Sequence, residues 1–268
     1  MTKNNGRHDS IITFTSDFGT RDGYVGIVKG SISNINHDAT IIDLAHEINP
    51  FDIRAGAWII YNSYRFFPAG TIHLVVVDPK VGSSQRRILL TNGEHHFVGP
   101  DSGVFSLVLN TRGDWKAYEI KNEIFFLQDI SSSFHARDIF GPVAAHLSLG
   151  IEPHKFGPEI DCQSLDITAY RPAAITSSKI TGEVIYIDRF GNLITNIPNS
   201  AIPQAISSGW KLNVTNEIID EISLTYSSVS EGVLLAFEGS HGFLEIAANQ
   251  ASAVKKLKAS MGEPVVLC

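Results

Sequence analysis

A change of pattern near residue 165 limits the folds open to this chain more than any other feature of its sequence. Before that point, β-branched apolar runs alternate with stretches of helical spacing. After it the helical spacing fades, and short β-rich runs follow one another. Strands alternating with helices predict a three-layer α/β domain with a largely parallel sheet. Short strands punctuated by turn residues predict a small antiparallel β-barrel or sandwich. The chain therefore reads as an N-terminal α/β domain over 1–170 and a C-terminal β-barrel domain over 171–268, joined at Tyr170-Arg171-Pro172. Its 268 residues suit that division, because single cores stop growing near this size.

In the first part, residues 11–15 read as a strand ending at Ser16-Asp17-Phe18-Gly19. Residues 24–35 carry apolar side chains at 24, 25, 27, 28, 32 and 35, which predicts a helix. A strand over 40–44, a helix over 52–66 and a buried strand over 71–77 ending in Asp78-Pro79 follow. Residues 87–91 and 96–98 predict a hairpin closed at Asn92-Gly93, and 105–110 and 139–149 predict helices. In the second part, strands are expected over 182–187, 193–197, 211–214, 222–226, 233–238 and 243–247.

Composition removes several classes of function. Lys and Arg total 21 against 28 Asp and Glu, a net charge of -7, which argues against a nucleic-acid or anionic-membrane surface. Lys255, Lys256 and Lys258 read as the solvated face of a terminal helix. Cys162 and Cys268 form no CxxC and no disulfide framework, which favours a reducing, cytoplasmic setting. The polar start MTKNNGRHDS is unlike a signal peptide, and no stretch approaches a membrane span. GxGxxG, GxxxxGK[ST], GxSxG and HExxH are all absent. His95 and His96 are adjacent, so on a strand they face opposite ways; no metal and no cofactor is predicted.

Ligands of open α/β sheets bind beyond the carboxyl ends of the strands, where Asp17 and Asp78 stand. Each aspartate either caps its turn or belongs to a site. Ser131-Ser132-Ser133-Phe134-His135-Ala136-Arg137-Asp138 gathers hydroxyls, an imidazole, a guanidinium and a carboxylate before an apolar helix. Asp138 suits the first helical turn, a role that leaves His135 unexplained. Strand alternation lets only one of Arg86 and Arg87 turn inward. In the second part, Asp188-Arg189-Phe190-Gly191-Asn192 and Glu238-Gly239-Ser240-His241-Gly242 are dense polar turns.

Together these segments resemble the motifs of the S-adenosyl-L-methionine (SAM) hydroxide adenosyltransferase family, hydrolytic relatives of the SAM-dependent fluorinating and chlorinating enzymes. The resemblance is carried by Thr15-Ser16-Asp17-Phe18-Gly19 with Asp22-x-Tyr24-Val25-Gly26, and by Val77-Asp78-Pro79-x-Val81-Gly82. Phe97-Val98-Gly99-Pro100-Asp101, Phe134-His135-x-Arg137-Asp138, Asp188-x-Phe190-Gly191-Asn192 and Gly239-Ser240-x-Gly242 continue it in the family's order. It implies cleavage of SAM by water to adenosine and L-methionine, without a cofactor. It implies a homotrimer whose active sites lie between subunits. Carried over by position, the catalytic triad falls on Asp78, Arg86 and His135, with Arg87 as the alternative arginine. Asp17 matches the ribose-binding aspartate. Asp188 and Asn192 match the methionine and adenine side, and Ser240 lies near the methionine carboxylate. Phe51, Phe134 and Phe190 fall at substrate-contacting aromatics. Lys80 and Ala136 stand where the family commonly has Gly, and Gln85 occupies a loop that is one residue longer than usual.

The residue types suit that chemistry. A sulfonium leaves as a neutral thioether and needs no acid, so the work lies in placing the nucleophile. Asp78 can take or orient a water proton, Arg86 would keep it ionised, and His135 can hold the water from the other side. An ionised Asp78 repels halide, which sets hydrolysis apart from halogenation. A non-catalytic protein that holds SAM or adenosine is the other reading, and it would need only Asp17, Asp188 and Asn192.

Overall fold

The computed structural model describes residues 10–268, apart from the side chains of Gln204 and Ile206. The polar segment 1–9, which bears on targeting, lies outside the described residues. The chain divides into two compact units, one ending at Ala169 and the other beginning at Tyr170.

The first unit is built on seven strands: β1 (Ile11–Ser16), β2 (Thr40–Ala45), β3 (Ile72–Val76), β4 (Arg87–Thr91), β5 (His96–Pro100), β6 (Lys116–Glu119) and β7 (Glu159–Ile160). They lie in the order β2-β1-β3-β5-β4-β6-β7. The β1–β2, β1–β3 and β3–β5 pairs are parallel. The β4–β5, β4–β6 and β6–β7 pairs are antiparallel. The sheet is therefore mixed and not largely parallel. The tight reversal at Asn92-Gly93 turns the chain back on itself, and β6 and β7 are too short to show a period in the sequence.

Four helices join these strands: α1 (Tyr24–Ile35), α2 (Ile53–Ser63), α3 (Ser106–Leu109) and α4 (Gly141–Ser148). Asp52 caps α2 by accepting the Ala55 N–H at 3.0 Å. Side chains alternate along β1 and β3, and that alternation sorts the two faces. Ile12, Phe14, Ile72 and Leu74 pack under Val25, Val28, Ile32, Ile139 and Val143 of the α1–α4 side. On the opposite face α2 sits close enough that a Cβ at Gly56 would lie 3.0 Å from the Val77 side chain. Helices on both faces direct the ends of β1 and β3, with Asp17 and Asp78, to one edge.

The second unit holds β8 (Ala174–Ile175), β9 (Ile180–Ile187), β10 (Leu193–Pro198), β11 (Leu212–Val214), β12 (Glu217–Ile219), β13 (Ile222–Ser223), β14 (Leu234–Glu238), β15 (Phe243–Ala248) and β16 (Pro264–Leu267). Their order is β12-β11-β16-β9-β10-β15-β14-β13, with β8 on β9. The sheet curls until β12 comes beside β14. It encloses Val184, Leu193, Leu212, Ala236, Leu244 and Ile246. Every pairing is antiparallel except β13–β14. Two short helices, α5 (Ile202–Ser207) and α6 (Ala253–Leu257), interrupt the strands. Lys255 and Lys256 are solvated on α6 as expected, but β16 follows, so the helix is not terminal. No helix among the described residues is long and apolar enough to cross a membrane.

Candidate active site

Asp17 follows β1 directly, and its Oδ2 accepts the N–H of Phe51 at 2.8 Å. Phe51 adopts φ +70°, a left-handed conformation that is unfavourable for an aromatic residue, and is 67% exposed. Asp78 stands two residues past β3. Its Oδ1 accepts from Gln85 Nε2 at 3.2 Å, and the backbone N–H of Lys80 also reaches it. Burial raises the Asp78 carboxyl to about 6, and the negative charge of Asp17 pushes the same way.

His135 comes from a different segment. Five residues after it, Ala136–Phe140, form a π-helical turn leading into α4, a feature frequent at functional sites. Asp138 has no exposed surface and ties this loop down. It accepts the Ser131 N–H at 2.8 Å and two guanidinium bonds from Arg137 at 2.5 and 2.9 Å. Gly82, at φ +78°, lets the Asp78 loop meet this one, since a Cβ there would fall 2.2 Å from the Ser132 carbonyl oxygen. Burial lowers the His135 imidazole below its ordinary value, and the Arg87 charge adds to that; Asp138 opposes it.

These loops enclose a cavity of about 300 Å³ lined by Asp17, Phe51, Asp78, Phe134 and His135, with Phe18, Tyr24 and Ser133. Phe134 packs edge-to-face on Phe18 and Tyr24, with centroids 6.0 and 5.5 Å apart. The lining thus combines a cluster of aromatic rings with two carboxylates and an imidazole. Such a pocket suits a cation carried on a flat, apolar body.

The second unit has a cavity of about 590 Å³ lined by Phe190, Asn192, Tyr226, Ala248, Gln250 and Ala251. Asp188 builds its turn: Oδ1 accepts the N–H groups of Phe190 and Asn192, and Oδ2 accepts Asn192 Nδ2 at 2.9 Å. Gly191 is required there, because a Cβ would lie 2.1 Å from Ser252 Oγ. Beneath the cavity the Tyr226 hydroxyl donates to Glu245 Oε1 at 2.7 Å, and Glu245 Oε2 lies 3.2 Å from His241 Nε2. Among the described residues, no group of three or more His, Cys, Asp or Glu side chains is arranged to hold a metal.

The chain is similar to known proteins along most of its length. The model of the SAM hydroxide adenosyltransferase N-terminal domain matches residues 12–157, and that of the C-terminal domain matches 182–266. The chain belongs to the SAM hydroxide adenosyltransferase family. Within it, the (R)-S-adenosyl-L-methionine hydrolase of Thermus thermophilus is 34% identical over 263 residues, covering 96% of this chain and 98% of that protein. The hydrolase of the same name from Methanocaldococcus jannaschii is 40% identical over 198 residues, covering 72% and 68%. A conserved protein of Thermotoga maritima superposes with a TM-score of 0.88 at 35% identity, over 96% of this chain and 99% of that one.

In this member of the family the positions singled out from sequence do not all meet. Asp17, Phe51, Asp78, Phe134 and His135 share one cavity; Phe190 and Asn192 share another. Arg86 does not meet Asp78. Its guanidinium lies 2.6 Å from Asp101 Oδ2 and binds the hydroxyl and carbonyl of Ser164. Both Asp188 oxygens are engaged within their own turn, and Ser240 is exposed on the β14–β15 turn and does not itself line the cavity. The sequence reading gave Tyr226 no part in a site and placed Glu245 only within the C-terminal motif Gly239-Ser240-x-Gly242-x-Leu244-Glu245-Ile246-Ala247, without a role. A charged residue inside the apolar run Phe243–Ala248 was the available signal, since a buried carboxylate needs partners.

Proposed function

We propose that the protein hydrolyses SAM to adenosine and L-methionine, with water attacking the 5′ carbon in line with the departing sulfur. The observation that carries this reading is a single cavity holding Asp17, Asp78 and His135 beside a cluster of aromatic rings. Two carboxylates attract the sulfonium, and its positive charge relieves their mutual repulsion, favouring an ionised Asp78. That carboxylate takes the water proton as the carbon–oxygen bond forms and the carbon–sulfur bond breaks. The electron pair leaves on sulfur as a neutral thioether, so no acid is required. Neutral His135 accepts the second hydrogen bond of the water and fixes its line of approach. Asp17 receives the ribose hydroxyls. Asn192 and Phe190 hold the remaining parts of the substrate, with Ser240 toward its carboxylate.

Arg86 acts at one remove in this scheme, by fixing the start of β4 through Asp101, and Arg87 is a cation whose charge acts on His135. The active species is a homotrimer with sites shared between subunits, and sedimentation equilibrium tests that part separately. The decisive assay incubates the protein with SAM, with and without chloride, and separates the nucleosides by chromatography. Adenosine in both samples is expected. Stoichiometric bound SAM without product would make the protein a binder, and 5′-chloro-5′-deoxyadenosine would make it a halogenase.

A further inference from the structure

A buried imidazole grips the loop that carries Asp17 from both sides. Ser16, the last residue of β1, has no exposed surface, and its Oγ lies 2.7 Å from His46 Nδ1. On the far side of the ring, Nε2 stands 3.0 Å from Asp43 Oδ1, and Lys29 Nζ donates to Asp43 Oδ2 at 2.5 Å. The His46 backbone carbonyl accepts the N–H of Gly19 at 2.8 Å, at the positive-φ turn just past Asp17. The Phe14 ring packs edge-on against the imidazole at 4.7 Å, and His46 is only 5% exposed. One residue of the β2–α2 connection thus holds Ser16 with its side chain and Gly19 with its main chain, with Asp17 between them.

The chemistry of the ring gives the grip a direction. Nδ1 is the nitrogen that meets the Ser16 hydroxyl, while Nε2 faces the Asp43 carboxylate without a hydrogen bond to it. Ser16 Oγ in turn accepts the Phe18 N–H at 3.4 Å. An apolar residue beside Phe14 would fill this space without needing any partner. A polar relay instead fixes the angle at which the chain leaves β1. The Phe51 N–H occupies one side of Asp17 Oδ2, so that angle decides where the remaining carboxylate lone pairs point.

We propose that His46 is a positioning residue: through Ser16 and Gly19, and with its ring facing Asp43, it sets the Asp17 carboxylate for the two ribose hydroxyls. The inference rests on the reading of Asp17 as the ribose-binding group. Titration calorimetry with adenosine and with 2′,3′-dideoxyadenosine, on the full-length protein, separates the two. The wild type is expected to prefer adenosine. Asp17→Ala should erase that preference. His46→Ala should shrink it by roughly threefold to tenfold, the worth of one or two hydrogen bonds, with the dideoxy ligand unaffected. His46→Asn, which can still accept from Ser16, should restore part of it. Asp43→Asn, at a partly exposed residue, should shrink it in the same direction and decides the matter if the His46 variants do not fold. Equal losses for both ligands, or a wild-type preference in His46→Ala and Asp43→Asn, would overturn the positioning role while leaving Asp17 in place. An undiminished preference in Asp17→Ala would instead bring down the ribose reading and this inference with it.

Discussion

Gln85 Nε2 donates to Asp78 Oδ1 across 3.2 Å, so a neutral amide meets the carboxylate where the family resemblance places a guanidinium. With no cation to hold it down, the Asp78 carboxyl rises to about 6 through burial first, reinforced by Asp17. The ionised form is the base. Turnover should therefore climb with pH, gaining about tenfold per unit below this midpoint, and level off above it. Gln85→Arg should move the midpoint to lower pH by adding an opposite charge. A pH–kcat/KM profile of both proteins checks this, and a wild-type rate flat through the midpoint would remove Asp78 from the proton transfer.

The same shift has a sign in stability. The folded state holds the Asp78 proton more tightly than the unfolded chain does. Its contribution is fully present below the unfolded value of 3.8 and is lost as pH rises through about 6. At about pH 8 the ionised side chain is a burden that Asp78→Asn removes, worth about 1–2 kcal/mol after allowing for partial solvent access. Asp78→Asn should thus be more stable at that pH than at low pH relative to wild type, by chemical denaturation. Its turnover should fall by about 10²–10⁴, with KM for SAM rising far less, since Asp17 still faces the sulfonium.

Arg86 and Arg87 are adjacent but carry different burdens. Arg86→Ala frees Asp101, whose side chain is 9% exposed, and breaks the link to Ser164. The expected cost is about 1–3 kcal/mol of stability, read from the denaturation midpoint. Arg87 lies over the Phe126 ring at 5.5 Å, and its charge helps hold His135 below its ordinary value. Arg87→Ala should let the imidazole pick up a proton at higher pH, lowering activity near pH 6 relative to about pH 8, with stability less affected. If Arg86→Ala alone shifts the pH profile, these assignments are reversed.

The reach of the sequence differs between the two halves of this site. β1 and β3 are legible because runs rich in β-branched and apolar residues are followed closely by aspartate, and the bounds of the helical stretch 24–35 match α1 residue for residue. The antiparallel hairpin at Asn92-Gly93 is legible, but the further antiparallel pairing of β6 and β7 is not, because they span only four and two residues. Alternation indicates that one of two arginines turns inward, but not what meets it. The partners of Arg86 lie 15 and 78 positions away, and only the folded chain brings Asp101 and Ser164 to it. The turn at Asp188 carries both its readings at once. Its carboxylate closes the loop, and that closure is what presents Asn192 and Phe190 to the cavity.

Phe51 holds a conformation that side chains avoid, at the mouth of the first cavity, with its N–H fixed by Asp17. Strain of this kind costs about 1–3 kcal/mol, offset in part by that hydrogen bond. Phe51→Gly keeps the N–H and relieves the strain, so stability should hold or rise by up to about 1 kcal/mol. The lost aromatic surface should raise KM for SAM more than it lowers kcat. Steady-state kinetics with a parallel denaturation curve separates the two effects, and a stability loss would mean that the ring is a core element.

Tyr226 and Glu245 offer the corresponding test in the second unit. Burial, and then the Glu245 carboxylate it donates to, push the Tyr226 phenol well above its ordinary value, so it stays a donor through the neutral pH range. Tyr226→Phe leaves Glu245 Oε1, in a residue 7% exposed, without that donor, at a cost of about 1–3 kcal/mol. Replacing Glu245 by Gln as well should return part of the loss, because a neutral amide is cheaper to leave unpaired than a carboxylate. A double-mutant cycle by denaturation should therefore show a coupling of about 1 kcal/mol between the two positions. Strictly additive losses would mean that the phenol and the carboxylate act independently, and that Tyr226 serves the cavity wall by its ring alone.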